Sequence, residues 1–380
     1  MDSTPQLQLN DRQLKELSRL ERDSFTRLCF RLRRNPDEYQ QLSLTMAQRN
    51  LREFINGHEY PEIASLHFSE TQELLNAPDF WTYKRLQKDR ETRSIVRHIC
   101  NNEHALPINY EYLSGLCNHL NISTIWSDDS GILCSFLDSI PVVILFDLSF
   151  NAFVEQRTLV DGAIPCVCMF DQLFVTSEVF IDFVLAAAIS TTSGMAVPTN
   201  HSRCFEIGTQ PAFQEELKQC IELVLGMSDR VDLIYDALLR SRPNMMLPFM
   251  IMTHGAQRFV WYHEYGHLLM GHLPVGPCHK VEFAADLFGW FLLNHHFDPA
   301  DIAAFWNFLG ALVVMLLIAL LEAILHVSES KTHPSARVRI RELLATLTEH
   351  DRNTMLKFLD AVVSICNPTL ARYWNVSLYL

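Results

Sequence analysis

The sequence predicts an α+β fold that is predominantly helical and carries one small β-sheet. Apolar residues recur at helical spacing through much of the chain, starting in its charged N-terminal part. Short runs rich in isoleucine, valine and phenylalanine lie between residues 124 and 146, and their length suits strands. A long apolar segment at 302–321 supplies a core helix. A chain of 380 residues has room for two domains, or for one large helical domain with an N-terminal extension.

The first 95 residues are charged and helical in pattern, with breaks near Asn35–Pro36 and Asn76–Pro78. We predict an N-terminal helical region over residues 1–95 and a main domain over 96–380. The N-terminal region either covers the core or binds a regulatory partner or trigger, and a cover is the simpler interpretation.

The predicted strands follow at Thr124–Trp126, Gly131–Phe136 and Pro141–Phe146. After them the pattern indicates further helices and one loop. The helices are predicted at 177–190, 214–225 and 228–240, and the loop at 191–212.

The most informative segment is His263-Glu264-Tyr-Gly-His267, inside an apolar run. Two histidines four positions apart on a helix lie about 40° apart around the axis and about 6 Å apart along it, so both imidazoles reach one metal ion. Glu264 then faces a metal-bound water as a base. Gly266 costs about 1 kcal/mol relative to alanine in a helix interior, which suggests that another group packs closely against it.

A third ligand is expected from the next helix. Glu282 lies there, and Asp286, one turn later, can accept the free N–H of a metal-bound histidine. His279, in the turn before that helix, remains an alternative ligand. His272 is expected to face away from the metal if the first helix continues that far. Two histidines, one glutamate and one open position are typical of a catalytic zinc site rather than a structural one.

A third segment, Thr332-His333-Pro334-Ser335-Ala-Arg337-Val-Arg339-Ile340, completes a recognisable set of motifs. Together with His263-Glu264-x-x-His267 and Glu282-x-x-Ala285-Asp286 it resembles the gluzincin metallopeptidases. The resemblance is strongest to the HtpX and CAAX prenyl protease family and to soluble Lit-like phage-exclusion endopeptidases. It covers about residues 255–345, under a third of the chain.

The resemblance implies a zincin-like zinc metallopeptidase domain over residues 96–380 that binds one zinc ion. It implies that Glu264 is the general base and that Arg339 braces the site. His333 either stabilises the oxyanion or occupies the open zinc position and restrains activity. The ligands implied by the resemblance are His263, His267 and Glu282.

The expected function is therefore zinc-dependent endopeptidase activity on a protein or peptide substrate. A small sheet beside the active-site helix would suit this, because its edge can bind an extended peptide. Conditional activation, in defence or regulation, is expected by analogy alone. The alternatives are a zinc hydrolase of a non-peptide amide or ester, and a regulatory binding protein that has kept a metal site.

Composition bears on the partners that we expect the protein to bind and on the cell compartment in which we expect it. The net charge of −13 gives no reason to expect nucleic-acid binding. The ten cysteines are scattered without a Cys-x-x-Cys pair, so we expect reduced core thiols and a cytoplasmic protein. The N-terminus lacks the pattern of a signal peptide.

The apolar segment 302–321 is long enough to span a bilayer. A single crossing would place Glu282 and His333 on opposite sides of the membrane, and no second apolar segment of that length brings the chain back. Acidic Asp298 and Asp301, rather than basic residues, precede the segment. We therefore predict a buried core helix and do not expect a membrane partner.

Overall fold

The computed structural model describes residues 7, 9–57, 68–120, 130–146, 152–159, 162–170, 177–181, 201–225, 246–275, 278–294, 302–327 and 333–380. These residues are mostly helical, and three strands form one small sheet, as the α+β prediction requires. The chain divides into two compact units. One contains residues 1–103, 114–147 and 155–169, and the other contains 104–113, 148–154 and 170–380. The division does not test the predicted boundary near residue 95, which remains a prediction.

The first unit is built from helices and most of the sheet. Its helices are α1 (Asp11–Arg31), α2 (Pro36–Gly57), α3 (Phe68–Leu75), α4 (Phe80–Asn101), most of α5 (Tyr110–His119) and α6 (Ser130–Ser139). Both predicted helix breaks are confirmed, because α1 ends before Pro36 and α3 ends before Pro78. The three rings of Phe25, Phe80 and Phe146 pack together, with centroids 5.1 Å and 5.2 Å from the ring of Phe25.

The sheet contains β1 (Val142–Leu145), β2 (Ala152–Leu159) and β3 (Gly162–Phe170) in the order β1-β3-β2. The strand predicted at 141–146 is confirmed as β1. The strand predicted at 131–136 was wrong, since this segment lies in α6, a helix that buries Leu133, Phe136 and Leu137 at helical spacing. The segment 124–126 lies outside the described residues. Strands β2 and β3 were not predicted.

Two cysteines differ from the prediction of reduced thiols. Cys100 on α4 and Cys134 on α6 form a disulfide. Other cysteines, such as Cys29, Cys166 and Cys366, are buried thiols, as predicted.

The second unit contains the remaining helices. They are α7 (His201–Gly208), α8 (Pro211–Val224), α9 (Met246–Leu269), α10 (His279–Asn294), α11 (Ile302–Ile324), α12 (Ala336–Ala345) and α13 (Glu349–Trp374). The helix predicted at 214–225 is confirmed as α8. The loop predicted at 191–212 was wrong where α7 forms. Residues 177–181 are helical as predicted, whereas the rest of 177–190 and the helix predicted at 228–240 lie outside the described residues.

Helix α11 is the apolar segment that raised the question of a membrane. Among the described residues it is the one helix long and apolar enough to cross a bilayer, and 78% of that stretch is buried inside the protein. It packs on α9 at backbone distance. A Cβ atom at Gly255 would lie 2.2 Å from the carbonyl oxygen of Asn307, and one at Gly310 would lie 1.9 Å from that of Met252. This is the packing that the core-helix interpretation expects.

We expect Gly310→Ala to destabilise the protein, because the added methyl group would overlap the backbone of Met252. Overpacking of this kind typically costs about 1–3 kcal/mol. The matched control is Gly115→Ala in α5, where a Cβ atom meets nothing within 4 Å. That change should leave stability unchanged or raise it by up to ~1 kcal/mol. Denaturant unfolding checks both, and equal midpoints for the two variants would contradict the close packing.

Candidate metal centre

Helix α9 presents His263, Glu264 and His267, and a close approach of α10 brings acidic residues to them. A Cβ atom at Gly266 would lie 3.1 Å from the ring of Phe288 on α10. The prediction that something packs closely at Gly266 is therefore confirmed. At the other side of the same contact, a Cβ atom at Gly289 would lie 3.1 Å from the carbonyl oxygen of Phe259 and 3.2 Å from the nitrogen of His263.

Three side chains converge with atoms that can bind a metal. The Nε2 atoms of His263 and His267 lie 3.1 Å apart. The Oε2 atom of Glu282 lies 3.6 Å from the first of these nitrogens, and its Oε1 atom lies 3.6 Å from the second. Ligand atoms around a tetrahedral zinc ion with bonds of about 2.0–2.1 Å are separated by ~3.3 Å. The spacing and the chemistry of this set therefore fit such an ion, and in the described part of the chain no other cluster of this kind occurs.

Asp286 and Arg339 form a buried charged pair behind His263. The Nδ1 atom of His263 lies 2.9 Å from Oδ1 of Asp286. The guanidinium of Arg339 donates two hydrogen bonds to the same carboxylate, at 2.7 Å and 2.5 Å. Burial alone would raise the pKa of Asp286, but Arg339 outweighs it and lowers the pKa to about 2. An ionised carboxylate at this distance favours a ring proton on Nδ1 of His263, which leaves Nε2, the nitrogen facing Glu282 and His267, as the atom that could bind a metal ion.

His267 is held in its neutral form. Burial lowers its pKa to about 2, and the electrostatic interactions with the neighbouring His263 and His272 act in the same direction. A neutral imidazole is the form that binds a metal ion. The environment of His267 therefore suits a ligand.

Glu264 is nearly fully buried, at 5% exposure. Burial raises its pKa to about 7; His263 acts in the opposite direction and Glu282 in the same direction. A carboxylate that exchanges its proton near neutral pH suits a general base. The backbone N–H of Val154, in the first part of β2, also hydrogen-bonds to this carboxylate and lowers its pKa. Residues 148–154 belong to the same unit as α9.

His333 lies beside the carboxylate of Glu282, which also faces His263 and His267. Its Nε2 atom is 3.5 Å from Oε1 of Glu282, and its side chain is 55% exposed. The turn that carries it is anchored from α11, since the N–H of Ala336 donates to both carboxylate oxygens of Glu322 at 3.0 Å. The geometry places His333 beside the site and is compatible with both predicted roles.

His272 was expected to face away from the metal if the first helix continued that far, and the helix ends before it. Helix α9 ends at Leu269, and Gly271 has a φ of 75°, which turns the chain back. The side chain of His272 consequently lies against His267, with the two Nδ1 atoms 3.0 Å apart. A glycine directly after the last apolar residues of a helix was the available signal. His279 is the first residue of α10, and it is not part of the converging set.

Comparison with known proteins finds a match over the part of the chain that carries these residues. The model of the family Peptidase U49 matches residues 239–359. The chain is similar to a peptidase family. The matched segment contains every residue of the predicted site, and it supports protease activity on protein substrates. No curated protein and no solved structure matches the chain.

Proposed function

We propose that the chain is a zinc-dependent endopeptidase of the gluzincin type. The observation that supports this most strongly is the carboxylate of Glu264 next to a converging set of two imidazoles and one carboxylate. Three protein donors leave one position of a tetrahedral ion open, which is the arrangement of catalytic zinc. A structural site has no use for a buried base. The similarity to a peptidase family over the same residues gives independent support.

Each side chain has a distinct task in the proposed reaction. His263, His267 and Glu282 would hold the zinc ion, which supplies a Lewis acid and makes water more acidic. Glu264 accepts the proton of the attacking water and passes it to the leaving amine. The Asp286–Arg339 pair keeps His263 in one tautomer and orientation.

His333 is the candidate donor for the oxygen of the scissile carbonyl. Negative charge develops on that oxygen during attack, and a nearby N–H donor stabilises it. The exposed position of His333, 3.5 Å from Glu282, leaves its ring accessible to a bound peptide. If His333 instead restrains the enzyme by occupying the open position, replacing it should raise activity rather than lower it.

The start of β2 is the candidate binding edge for the substrate. β2 is one of the two edge strands in the order β1-β3-β2, and the backbone N–H of Val154 faces the carboxylate of Glu264. A peptide that pairs with this edge would pass the base in an extended conformation. We propose that substrates bind in this way.

Removing the metal tests the proposed function directly. Purified protein should contain one zinc per chain, a chelator should abolish proteolysis, and added zinc should restore it. His267→Ala removes a proposed ligand. Losing a residue that only hydrogen-bonds to a ligand typically weakens metal binding by ~10–100-fold, so the zinc affinity of His267→Ala should fall by more than that. Metal analysis and mass spectrometry of new N-termini in a treated proteome measure the two effects.

His350→Ala is the matched control, because His350 is an exposed histidine on α13 in the same unit. It should keep both zinc and activity. Full zinc occupancy in His267→Ala would contradict the ligand assignment. Hydrolysis of small esters without any new N-termini would favour the non-peptide alternative.

A further inference from the structure

His272 lies just beyond α9 and contacts the outer side of the ring of His267. The two Nδ1 atoms lie 3.0 Å apart, and the rings meet edge to face with centroids 5.1 Å apart. The other nitrogen of His267, Nε2, faces His263 and Glu282. One nitrogen of His267 therefore points into the metal centre, and the opposite one points at His272.

We propose that His272 is a positioning residue that fixes the ring orientation and the tautomer of His267. This inference rests on the proposed function, in which His267 binds zinc through Nε2. With that nitrogen committed to the metal, the proton of the neutral ring must be on Nδ1. The Nδ1–H group of His267 then donates a hydrogen bond to the Nδ1 lone pair of His272, which carries its own proton on Nε2.

The two histidine ligands thus have different partners. His263 has the carboxylate of Asp286, which Arg339 neutralises. His267 has a neutral imidazole instead. The site already contains the buried carboxylates of Glu264 and Glu282, and one more buried anion without its own cation would be costly. An imidazole orients His267 without adding charge.

The turn at Gly271 makes this contact possible. Its φ of 75° is in the left-handed region, and a Cβ atom there would lie 2.8 Å from Cγ of Tyr112. The backbone N–H of His272 donates to the carbonyl of His267 at 2.9 Å, independently of the His272 side chain. Replacing the side chain of His272 should therefore leave the turn in place.

The test compares three variants of His272. Asparagine carries an acceptor oxygen on Cγ, where Nδ1 is attached in histidine, whereas glutamine places its amide one carbon further out and leucine has no acceptor. Zinc affinity is measured by competition with a chelator. His272→Leu and His272→Gln should bind zinc about 10–100-fold more weakly than the wild type. His272→Asn should stay close to the wild type.

A second measurement separates positioning from folding. In zinc-loaded wild type and in His272→Asn, nitrogen NMR shifts should show the His267 proton on Nδ1 in a single, ordered state. His272→Leu should lose this ordered signal. The metal-free wild type and the metal-free variants should nevertheless unfold at similar temperatures, which would show that the fold is intact.

Two results would overturn the inference. One is zinc affinity in His272→Leu equal to that of the wild type, and the other is equal weakening in all three variants. Failure of the wild-type protein to bind zinc is a different result, because it would overturn the proposed function and the positioning role with it.

Discussion

Glu264→Gln is expected to lower kcat for peptide hydrolysis by about 10²–10⁴-fold while zinc affinity stays near the wild-type value. The amide has nearly the shape of the carboxylate but cannot accept a proton from water. Glu264 does not belong to the converging donor set of His263, His267 and Glu282, so the metal should remain. Cleavage assays and metal analysis on the same preparations give the two numbers.

Although Glu264→Gln should lower activity, it should raise the stability of the metal-free protein at high pH. Because burial raises the pKa of Glu264 from 4.5 to about 7, the folded protein binds this proton more tightly than the unfolded chain. This tighter proton binding stabilises the folded protein fully below pH 4.5, and the stabilisation is lost as the pH rises to 7. At pH 8 the metal-free Gln variant should therefore be more stable than the wild type, by on the order of 2–3 kcal/mol.

Denaturant unfolding at pH 8 and at pH 4.5 checks this, and the gain should appear only at the higher pH. Retained proteolysis in Glu264→Gln would falsify the assignment of the base. A variant that loses activity and zinc together would show that Glu264 holds the metal instead.

Arg339→Met is expected to lower the free energy of unfolding by about 3–5 kcal/mol. Arg339 is 8% exposed and is paired with Asp286, which is 1% exposed. Methionine leaves the carboxylate buried next to His263 without its cation. Without Arg339, the buried carboxyl group of Asp286 should take up a proton, and a protonated carboxyl group holds the ring of His263 less firmly. The variant should therefore also bind zinc more weakly. Denaturant unfolding and chelator competition measure these effects.

Arg337→Met is the matched control, since Arg337 lies two residues away and makes a long contact of 3.4 Å with the carbonyl of Tyr379. Its effect should stay within ~0.5 kcal/mol, as for most surface changes. The double variant Asp286→Leu, Arg339→Met removes both charges and should recover part of the lost stability. If Arg339→Met and Arg337→Met were equally stable, the pair would not be the brace that we describe.

Much of the candidate site could be predicted because local rules govern it. The four-residue spacing of His263 and His267 determines their common face on any helix, and the same spacing relates Glu282 and Asp286. Gly266 indicated a close neighbour, and the structure identifies that neighbour as Phe288. These inferences needed only helix geometry and the cost of burying charge.

Other features depend on contacts that a sequence does not encode locally. The contact between His272 and His267 follows from the left-handed conformation of Gly271, just after the end of α9 at Leu269. The segment 131–136 is short and apolar, so its periodicity did not distinguish a buried helix from a strand. The pairing of Cys100 with Cys134 joins α4 and α6, and spacing alone cannot predict such partners.

The glycine contacts between α9 and α11 limit how the proposed endopeptidase could be regulated. At Gly255 and Gly310 the backbones of α9 and α11 touch with no side chain between them. Sliding one helix along the other would place larger residues at these contacts, where there is no room for them. Helix α9 therefore has a single register against α11. In the proposed endopeptidase, a trigger would have to work by admitting or excluding the substrate, since it could not rearrange His263, His267 and Glu282 without disrupting the core.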